Sequence, residues 1–243
     1  MARLFLAGYD LFAGQTVTLT DERHHYLAHV LRARPGTPLE LFSGDGRCHA
    51  ASIVHVARRR TELVVGEERP ALPPSRLPVT LWQSVLAGGR TEWVVQKSTE
   101  LGVAAINIVY TARCKSRRRR LSRLQAVAIE AAEQCGRAEV PPVGGPFDLL
   151  DLPPAAAAAA RFIFWEEARA QAPLLSAALE KSPPEGGVEL MSGPEGGLTA
   201  AEVEHCRAEG FEVASLGPRV LRAETASIVA VTIAQTAHGE LGR

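Results

Sequence analysis

The chain has 243 residues, of which 46% are hydrophobic, and its formal net charge is zero. This length predicts one large or two modest domains with a sizeable hydrophobic core. A net charge of zero excludes any argument from overall charge for a polyanionic partner, so only local basic clusters can indicate one. The chain has no apolar run of about 18 residues and no secretory signal pattern, so we expect a cytoplasmic protein that does not span a membrane.

The four cysteines are widely spaced and form no Cys-x-x-Cys pair. This spacing argues against a zinc site and against a disulfide framework, so no metal is expected. The three histidines at positions 24, 25 and 29 lie close together, but their spacing and lack of further ligands also make a metal site improbable.

Residues 1–70 are expected to form a small, mostly β domain, which we interpret as a barrel. Short alternating or β-branched runs predict its strands, and the sequence Ser43-Gly44-Asp45-Gly46 predicts a hairpin turn between two of them. The one helix expected here covers residues 21–32 and stops before Pro35-Gly36. Residues 71–78 belong to a proline-rich stretch that predicts a semi-rigid linker.

Residues 79–243 alternate between apolar runs and helical patterns, which is typical of an α/β domain with a mostly parallel sheet. The expected strands are 79–85, 103–110, 140–143, 161–165, 188–191 and 211–216. The expected helices are 91–101, 121–135, 174–180, one beginning at Thr199, and 224–237. The last helix is apolar nearly all round and is therefore expected to be buried, either in the core or at a contact between subunits.

Two glycine-rich turns, residues 190–199 and 216–226, each follow an expected strand and precede an expected helix. Thr199 and Glu202 have the spacing of a capping box, so a helix should begin after the first turn. Ligands bind at the carboxyl ends of strands in open α/β sheets, so the two turns predict one shared pocket. A single turn of this kind is more often a plain connection. The first turn also lacks the pattern of a phosphate loop or a dinucleotide fingerprint.

Four segments occur in a specific order along the chain. They are QKSTELG at 96–102, EAAEQCGR at 130–137, GPEGG at 193–197 and LGPRVLRAETA at 216–226. With these segments the chain resembles the ribosomal RNA small-subunit methyltransferase E family over nearly its whole length. The resemblance implies transfer of a methyl group from S-adenosylmethionine to N3 of one uridine in 16S ribosomal RNA.

The same resemblance implies an α/β fold of the SPOUT type, in which the C-terminal segment forms a trefoil knot. It also implies an N-terminal PUA-like β-barrel domain and a homodimer. The expected domains are 1–70 for the barrel, 71–78 for the linker and 79–243 for the methyltransferase domain. The expected partner is 16S ribosomal RNA or the small ribosomal subunit.

The residues expected to bind the cofactor come from the two glycine turns and from the strand end near position 165. Backbone and apolar groups of the second turn suit the adenine edge, which needs one donor and one acceptor, and the first turn should approach the ribose or the methionine part. The cofactor set is Phe164, Trp165, Glu166, Met191, Ser192, Gly193, Pro194, Glu195, Gly196, Leu216, Gly217, Val220, Leu221, Arg222, Thr225 and Ala226.

Methylation at N3 of uracil requires that the N3 proton leave, so a general base is expected. Glu195 and Glu224 are the carboxylates of the motifs, and the sequence does not decide between them. Glu224 also fits a cap of the following helix that pairs with Arg222. Arg219 and Arg222 could stabilise negative charge on the uracil carbonyls. The expected catalytic residues are Arg219, Arg222 and Glu224.

A basic stretch without acidic residues follows the expected strand 103–110 and predicts contacts with RNA phosphates. Such a run is more often only a solvated face, so both interpretations stay open. The expected RNA-binding residues are Arg3, His25, Arg32, Lys97, Arg113, Lys115, Arg117, Arg118, Arg119 and Arg120.

Two rival functions stay open from the sequence. One is an RNA methyltransferase of the same fold with another RNA or base as its target. The other is a non-catalytic RNA-binding protein whose pocket has decayed. A nucleotide-binding oxidoreductase is disfavoured because no dinucleotide fingerprint is present.

Overall fold

A computed structural model describes residues 1–115, 120–152, 159–181, 186–238 and 241. The chain divides into two compact units. The first comprises residues 1–74 together with 132–140, and the second comprises 75–131 and 141–243. The sequence did not indicate that residues 132–140 pack with the N-terminal unit.

The first unit contains one sheet of five strands in the order β1-β3-β4-β5-β2. Its strands are β1 (Ala2–Phe5), β2 (Thr16–Leu19), β3 (Pro38–Phe42), β4 (Cys48–Val56) and β5 (Thr61–Arg69). β1 pairs with β3 in parallel and the other pairs are antiparallel. The hairpin prediction is confirmed, because β3 and β4 pair antiparallel from Phe42 opposite Cys48 on either side of the turn.

Alternation of buried and exposed residues explains these strands. In β2 the side chains of Val17 and Leu19 enter the core, and the threonines between them face solvent. The helix expected at 21–32 is a short helix α1 (Glu22–His25), capped by the Asp21 carboxylate, which continues as a π-helical turn over Tyr26–Val30. This segment seals the core of the unit through Leu27, which is fully buried.

The second unit contains a six-stranded sheet in the order β11-β9-β10-β6-β7-β8. Its strands are β6 (Val79–Ser84), β7 (Ala105–Tyr110), β8 (Val143–Asp148), β9 (Ala160–Phe164), β10 (Val188–Ser192) and β11 (Glu212–Ala214). All of the pairs between neighbouring strands are parallel. The prediction of an α/β fold with a parallel sheet is therefore confirmed.

The helices in residues 79–243 agree with the predicted order. They are α2 (Arg90–Glu100), α3 (Leu121–Cys135), α4 (Leu175–Lys181), α5 (Ala200–Ala208) and α6 (Ala223–Ala237). The apolar helix α6 packs against β10, β6, α2 and α4, which explains why it lacks a polar stripe. The cap of α5 is a complete capping box of Thr199 and Glu202, as predicted.

One predicted strand is misplaced. A strand was expected at 140–143, but β8 begins at Val143 and continues to Asp148. Pro141 and Pro142 have no backbone N–H to donate to a neighbouring strand, so pairing starts only after them. The strand expected at 211–216 is also shorter, because β11 covers only Glu212–Ala214. The Phe211 N–H donates to the Cys206 carbonyl and the Ser215 N–H donates to the Pro173 carbonyl, so neither pairs with β9.

Cys206 of α5 gives a chemical test of this packing. Its side chain is fully buried, and burial together with the nearby Glu202 carboxylate raises the pKa of the thiol from 9.0 to about 12. We expect Cys206 to resist alkylation by iodoacetamide at about pH 8, because the reactive thiolate is suppressed. Mass spectrometry of the native protein should find label on the partly exposed Cys114 and Cys135 first.

The raised pKa of Cys206 also makes the free energy of unfolding depend on pH. The pKa of Cys206 is higher in the folded chain than in the unfolded chain, so its contribution to the free energy of unfolding is complete below pH 9.0 and falls between 9.0 and about 12.

In the alkylation experiment, denatured protein serves as the control and should be alkylated at all four cysteines. Rapid labelling of Cys206 while the protein is folded would contradict the assignment.

Candidate functional site

A pocket of about 560 Å³ lies in the second unit, at the carboxyl ends of β9, β10 and β11 and at the start of α6. This is the edge of a parallel sheet where ligands bind. Its lining consists of Arg90, Phe164, Trp165, Glu166, Arg169, Ser192, Gly193, Pro194, Glu195, Gly197, Leu198, Ala214, Ser215, Leu216, Gly217, Arg219, Val220, Leu221, Arg222, Ala223, Glu224 and Ala226. The two glycine turns therefore meet at one pocket.

The first glycine turn runs from the end of β10 to the capping box of α5. At Gly193 a Cβ atom would stand 2.9 Å from Cγ of Leu198, so no larger residue fits without moving this buried leucine. Gly197 has a positive φ of 70°, which favours glycine. The motif therefore has glycine at these two positions because the backbone at the pocket wall leaves no room for a side chain at Gly193 and has a positive φ at Gly197.

The second turn connects β11 to α6 through Gly217, whose φ is 117°. The Ser215 hydroxyl accepts a hydrogen bond from the Gly217 N–H at 3.2 Å and stabilises the bend. The N-cap residue of α6 is Arg222, and its side chain makes no capping hydrogen bond. The interpretation of Glu224 as the cap is therefore wrong, because Glu224 already lies in the first turn of the helix.

A buried polar network lies where β6, β10 and α6 meet beside the pocket. The Ser227 hydroxyl donates to Oε1 of Gln83 at 2.6 Å, and its oxygen lies 2.8 Å from Oγ of Ser192 and 3.1 Å from the Ala223 carbonyl oxygen. All three side chains are almost fully buried. Hydrogen bonds in such an environment hold their partners firmly, so the network fixes α6 against the sheet.

Glu195 connects the first glycine turn to the loop after β6. Its Oε1 accepts hydrogen bonds from the Ala87 backbone N–H at 2.8 Å and from Nη1 of Arg90 at 2.9 Å. The other oxygen, Oε2, is buried and has no hydrogen-bond partner among the described residues. Oε2 of Glu224 and Nε1 of Trp165 are in the same condition. Three residues of the pocket lining therefore each carry a buried polar atom that has no hydrogen-bond partner among the described residues.

The structure places most of the predicted cofactor residues on the pocket wall. Met191 is an exception, because it is fully buried in the core with Trp82 and its neighbours. Thr225 is exposed and Gly196 lies outside the lining, where its carbonyl accepts a hydrogen bond from Nη1 of Arg113. These three residues therefore lie outside the pocket lining. The proposed catalytic residues Arg219, Arg222 and Glu224 all line the pocket.

Sequence reasoning missed several residues of the lining. They are Arg90, Arg169, Gly197, Leu198, Ala214, Ser215 and Ala223. Arg90 is the most informative, since it forms an ion pair with Glu195 of the first glycine turn. The pair Gly88-Gly89 between β6 and α2 could have indicated it, because it repeats the strand, glycine turn and helix pattern of the other two turns.

The predicted RNA-binding residues fall into different environments. Arg113, which contacts the first glycine turn through Gly196, is exposed, as are Lys115 and Arg120. His25 and Arg32 are exposed in the first unit. Lys97 is half-buried and forms an ion pair with Glu100 on the same helix. The remaining predicted residues, Arg117, Arg118 and Arg119, lie outside the described residues.

Arg3 is reassigned. Its Nε donates to Oε1 of Glu40 at 2.6 Å, and its Nη1 lies 3.3 Å from the carbonyl oxygens of Ala132 and Arg137. The guanidinium also lies over the Phe42 ring, 5.0 Å from its centroid. The Arg3 side chain is 12% exposed and is occupied by these contacts. It therefore stabilises the first unit and is not free to bind a phosphate.

Two structural findings bear on the class of protein. Across the described ranges, no helix is long and apolar enough to cross a membrane. No group of three or more histidine, cysteine, aspartate or glutamate side chains is placed to hold a metal ion in the part of the chain that the structure covers.

Comparisons with known proteins identify relatives of this chain. Residues 73–235 match the model of the RNA methyltransferase domain family. The chain is 35% identical over 219 residues to the ribosomal RNA small subunit methyltransferase E of Synechocystis, covering 89% of this chain and 71% of that protein. It is 31% identical over 232 residues to the protein of the same name from Bacillus subtilis, covering 89% and 88%.

Solved structures of methyltransferases also superpose on this chain. A ribosomal RNA small subunit methyltransferase E from Neisseria gonorrhoeae, bound to S-adenosyl methionine, superposes with a TM-score of 0.88, 36% identity and 99% coverage of both chains. A putative methyltransferase from Legionella pneumophila, also in complex with this cofactor, superposes with a TM-score of 0.88, 31% identity and 99% coverage of both chains. The chain belongs to the RNA methyltransferase family, and within it to the ribosomal RNA small subunit methyltransferase E proteins.

Proposed function

We propose that this protein transfers the methyl group of S-adenosylmethionine to N3 of one uridine in 16S ribosomal RNA of the small subunit. The observation that carries the proposal is the pocket built by both glycine turns at the carboxyl edge of a parallel sheet. The Neisseria relative, which was crystallised with S-adenosyl methionine, is alike over 99% of this chain.

The pocket residues fit this cofactor. A volume of about 560 Å³ is suited to a ligand of that size. The unpartnered Oε2 of Glu195 can accept a hydrogen bond, and the unpartnered indole N–H of Trp165 can donate one. S-adenosylmethionine carries hydroxyl and amine donors together with ring-nitrogen and carboxylate acceptors, so its chemistry matches these groups.

The roles of the lining residues follow from their position. Backbone groups around Leu216, Gly217 and Leu221 suit the adenine edge, while Gly193 and Glu195 suit the ribose or methionine part. The proposed cofactor contacts are Phe164, Trp165, Glu166, Ser192, Gly193, Pro194, Glu195, Leu216, Gly217, Val220, Leu221, Arg222 and Ala226. When bound, the sulfonium supplies an already activated methyl group, so the protein contributes chiefly alignment.

Proton removal from uracil N3 is assigned to Glu224. Of the two carboxylates that the glycine turns contribute to the pocket wall, Glu195 is already held by Ala87 and Arg90. Glu224 has a buried Oε2 without a partner among the described residues, and it lies in the first turn of α6, where the helix dipole stabilises an anion. Arg219 and Arg222 line the same pocket and can stabilise negative charge on the uracil carbonyls.

The RNA is proposed to approach past the exposed Arg113, Lys115 and Arg120, since Arg113 touches the first glycine turn. Exposed His25 and Arg32 are further proposed contacts in the first unit. Exposed cations of this kind favour phosphate binding. The target uridine must leave its stack to enter the pocket.

The family resemblance supports further proposals about architecture. These are a C-terminal trefoil knot, a PUA-like barrel in residues 1–70, a linker at 71–78, a methyltransferase domain at 79–243, a homodimer and a cytoplasmic location. Knots are rare exceptions to the rule that chains do not thread loops. Helix α6 packs against β10, β6, α2 and α4, and these contacts support a C-terminal segment held against the sheet.

Mass mapping of 16S ribosomal RNA tests the proposed reaction. Unmodified RNA and small subunits are each incubated with the protein and S-adenosylmethionine, and the methylated nucleotide is located by digestion and mass spectrometry. We expect one N3-methyluridine. A methyl group on another base or another RNA would favour the rival methyltransferase. Absence of binding heat with S-adenosylmethionine would favour the non-catalytic RNA-binding protein.

Gly193→Ala tests the pocket wall. The added Cβ would press on Leu198, which is 2% exposed and cannot move away freely, so we expect S-adenosylmethionine to bind about tenfold more weakly by calorimetry. Gly89→Ala is the matched control, because a Cβ there meets nothing within 4 Å. Equal affinity of the two variants would remove Gly193 from the pocket wall.

A further inference from the structure

An ion pair of Arg90 and Glu195 lies on the wall of the proposed cofactor pocket. The Glu195 side chain is 17% exposed and that of Arg90 is 47% exposed. The pair uses Nη1 of Arg90 and Oε1 of Glu195, which are 2.9 Å apart. In the described part of the chain this contact leaves Nε and Nη2 of Arg90, as well as Oε2 of Glu195, without a hydrogen-bond partner.

Glu195 is held in place independently of Arg90. The Ala87 backbone N–H donates to the same Oε1 at 2.8 Å, so the carboxylate keeps its orientation even when Arg90 moves. Arg90 is the first residue of α2, where the positive end of the helix dipole also favours a bound anion. The wall therefore presents an anion-binding group and a cation-binding group side by side.

We propose that Arg90 and Glu195 together form the subsite for the zwitterionic amino-acid end of S-adenosylmethionine. Arg90 binds its carboxylate and Oε2 of Glu195 accepts a hydrogen bond from its ammonium group. This inference rests on the proposed function and adds to it a residue, Arg90, that the sequence did not indicate. Neighbouring groups of opposite charge are complementary to a zwitterion, whereas a phosphate would be repelled by the carboxylate.

The order of the strands supports an orientation in which the adenine end of the cofactor lies at the second glycine turn and the amino-acid end lies at Arg90. The turn assigned to adenine follows β11, and Arg90 follows β6. Two strands, β9 and β10, separate β11 from β6 in the sheet. The adenine end and the amino-acid end of the cofactor are thereby assigned to opposite sides of the pocket.

The test compares two ligands that differ in the amino-acid group. S-adenosylmethionine carries it and 5′-methylthioadenosine does not. For Arg90→Met and for Glu195→Gln we expect calorimetric affinity for S-adenosylmethionine to fall by about 10- to 100-fold, the usual effect of a charge-assisted hydrogen bond. Affinity for 5′-methylthioadenosine should stay within about twofold, because that ligand never touches the pair.

Arg207→Met is the matched control. Arg207 is 46% exposed and pairs with Glu204 on α5, so it has the same chemistry as Arg90 but lies outside the pocket lining. We expect it to leave both affinities unchanged. Thermal unfolding of each variant shows whether it is folded.

The possible failures can be told apart. If the wild-type protein binds neither ligand, the proposed function fails. If it binds both but Arg90→Met weakens them equally, only the amino-acid subsite is overturned. Unchanged affinity for S-adenosylmethionine, with weaker and less salt-dependent binding of 16S RNA, would assign Arg90 to an RNA phosphate and also overturn it.

Discussion

Replacing Glu224 with glutamine is expected to lower the single-turnover methylation rate by about 10²- to 10⁴-fold, the usual contribution of a general base. Glutamine has nearly the same shape as glutamate but cannot accept the uracil proton. Because Glu224 is half-buried with an unpartnered Oε2 on the pocket wall, the loss should appear in the chemical step. Rapid-quench assays with saturating cofactor and RNA measure this rate.

A second readout separates proton removal from a merely structural effect. If Glu224 takes the proton, the Glu224→Gln rate should rise steadily from about pH 7 to about pH 9, as more uracil ionises without help. The wild-type rate should rise less. Affinity for S-adenosylmethionine should change little. Glu204→Gln, an exposed glutamate on α5, is the control and should behave like the wild type. A pH-independent loss of rate would rule out the assignment.

Replacing Glu189 with leucine is expected to lower the free energy of unfolding by about 3–5 kcal/mol, because it leaves a buried arginine without its counter-charge. Glu189 on β10 and Arg161 on β9 are each 5% exposed. Oε2 of Glu189 accepts hydrogen bonds from Nε of Arg161 at 3.0 Å and from the indole N–H of Trp82 at 2.8 Å. Urea unfolding, followed by circular dichroism, measures the loss.

A double variant distinguishes a lost charge pair from lost packing. Arg161→Met combined with Glu189→Leu removes both charges, so we expect it to recover most of the stability lost by Glu189→Leu alone. Glu204→Leu on the exposed pair with Arg207 should cost less than about 1 kcal/mol. If the double variant is as unstable as the two single variants added together, the charge pair is not the cause.

The glycine turns could be recognised from the sequence because their causes are local. A positive φ or a crowded Cβ position requires glycine wherever the residue lies in the fold, as at Gly197 and Gly193. The capping box of Thr199 and Glu202 is equally local, and it was correctly predicted. Strand and helix order in residues 79–243 followed from periodicity for the same reason.

Met191 shows where the hydrophobic pattern of the sequence could not predict which face of a strand a residue occupies. Every residue of β10 is buried, so the strand shows no alternation of apolar and polar positions from which a face could be assigned. Consecutive residues of a strand nevertheless point to opposite faces. Ser192 consequently reaches the pocket and the Ser227 network, while its neighbour Met191 packs in the core.

By itself the sequence determined the family, the α/β class and the two turns that build the pocket, because short segments with local geometric requirements carry that information. Only the tertiary structure decided which charges meet at the pocket. Arg90 and Glu195 are 105 positions apart and come together because β6 and β10 are neighbours in the sheet. Strand order arises from the packing of the whole sheet, and no local pattern encodes it.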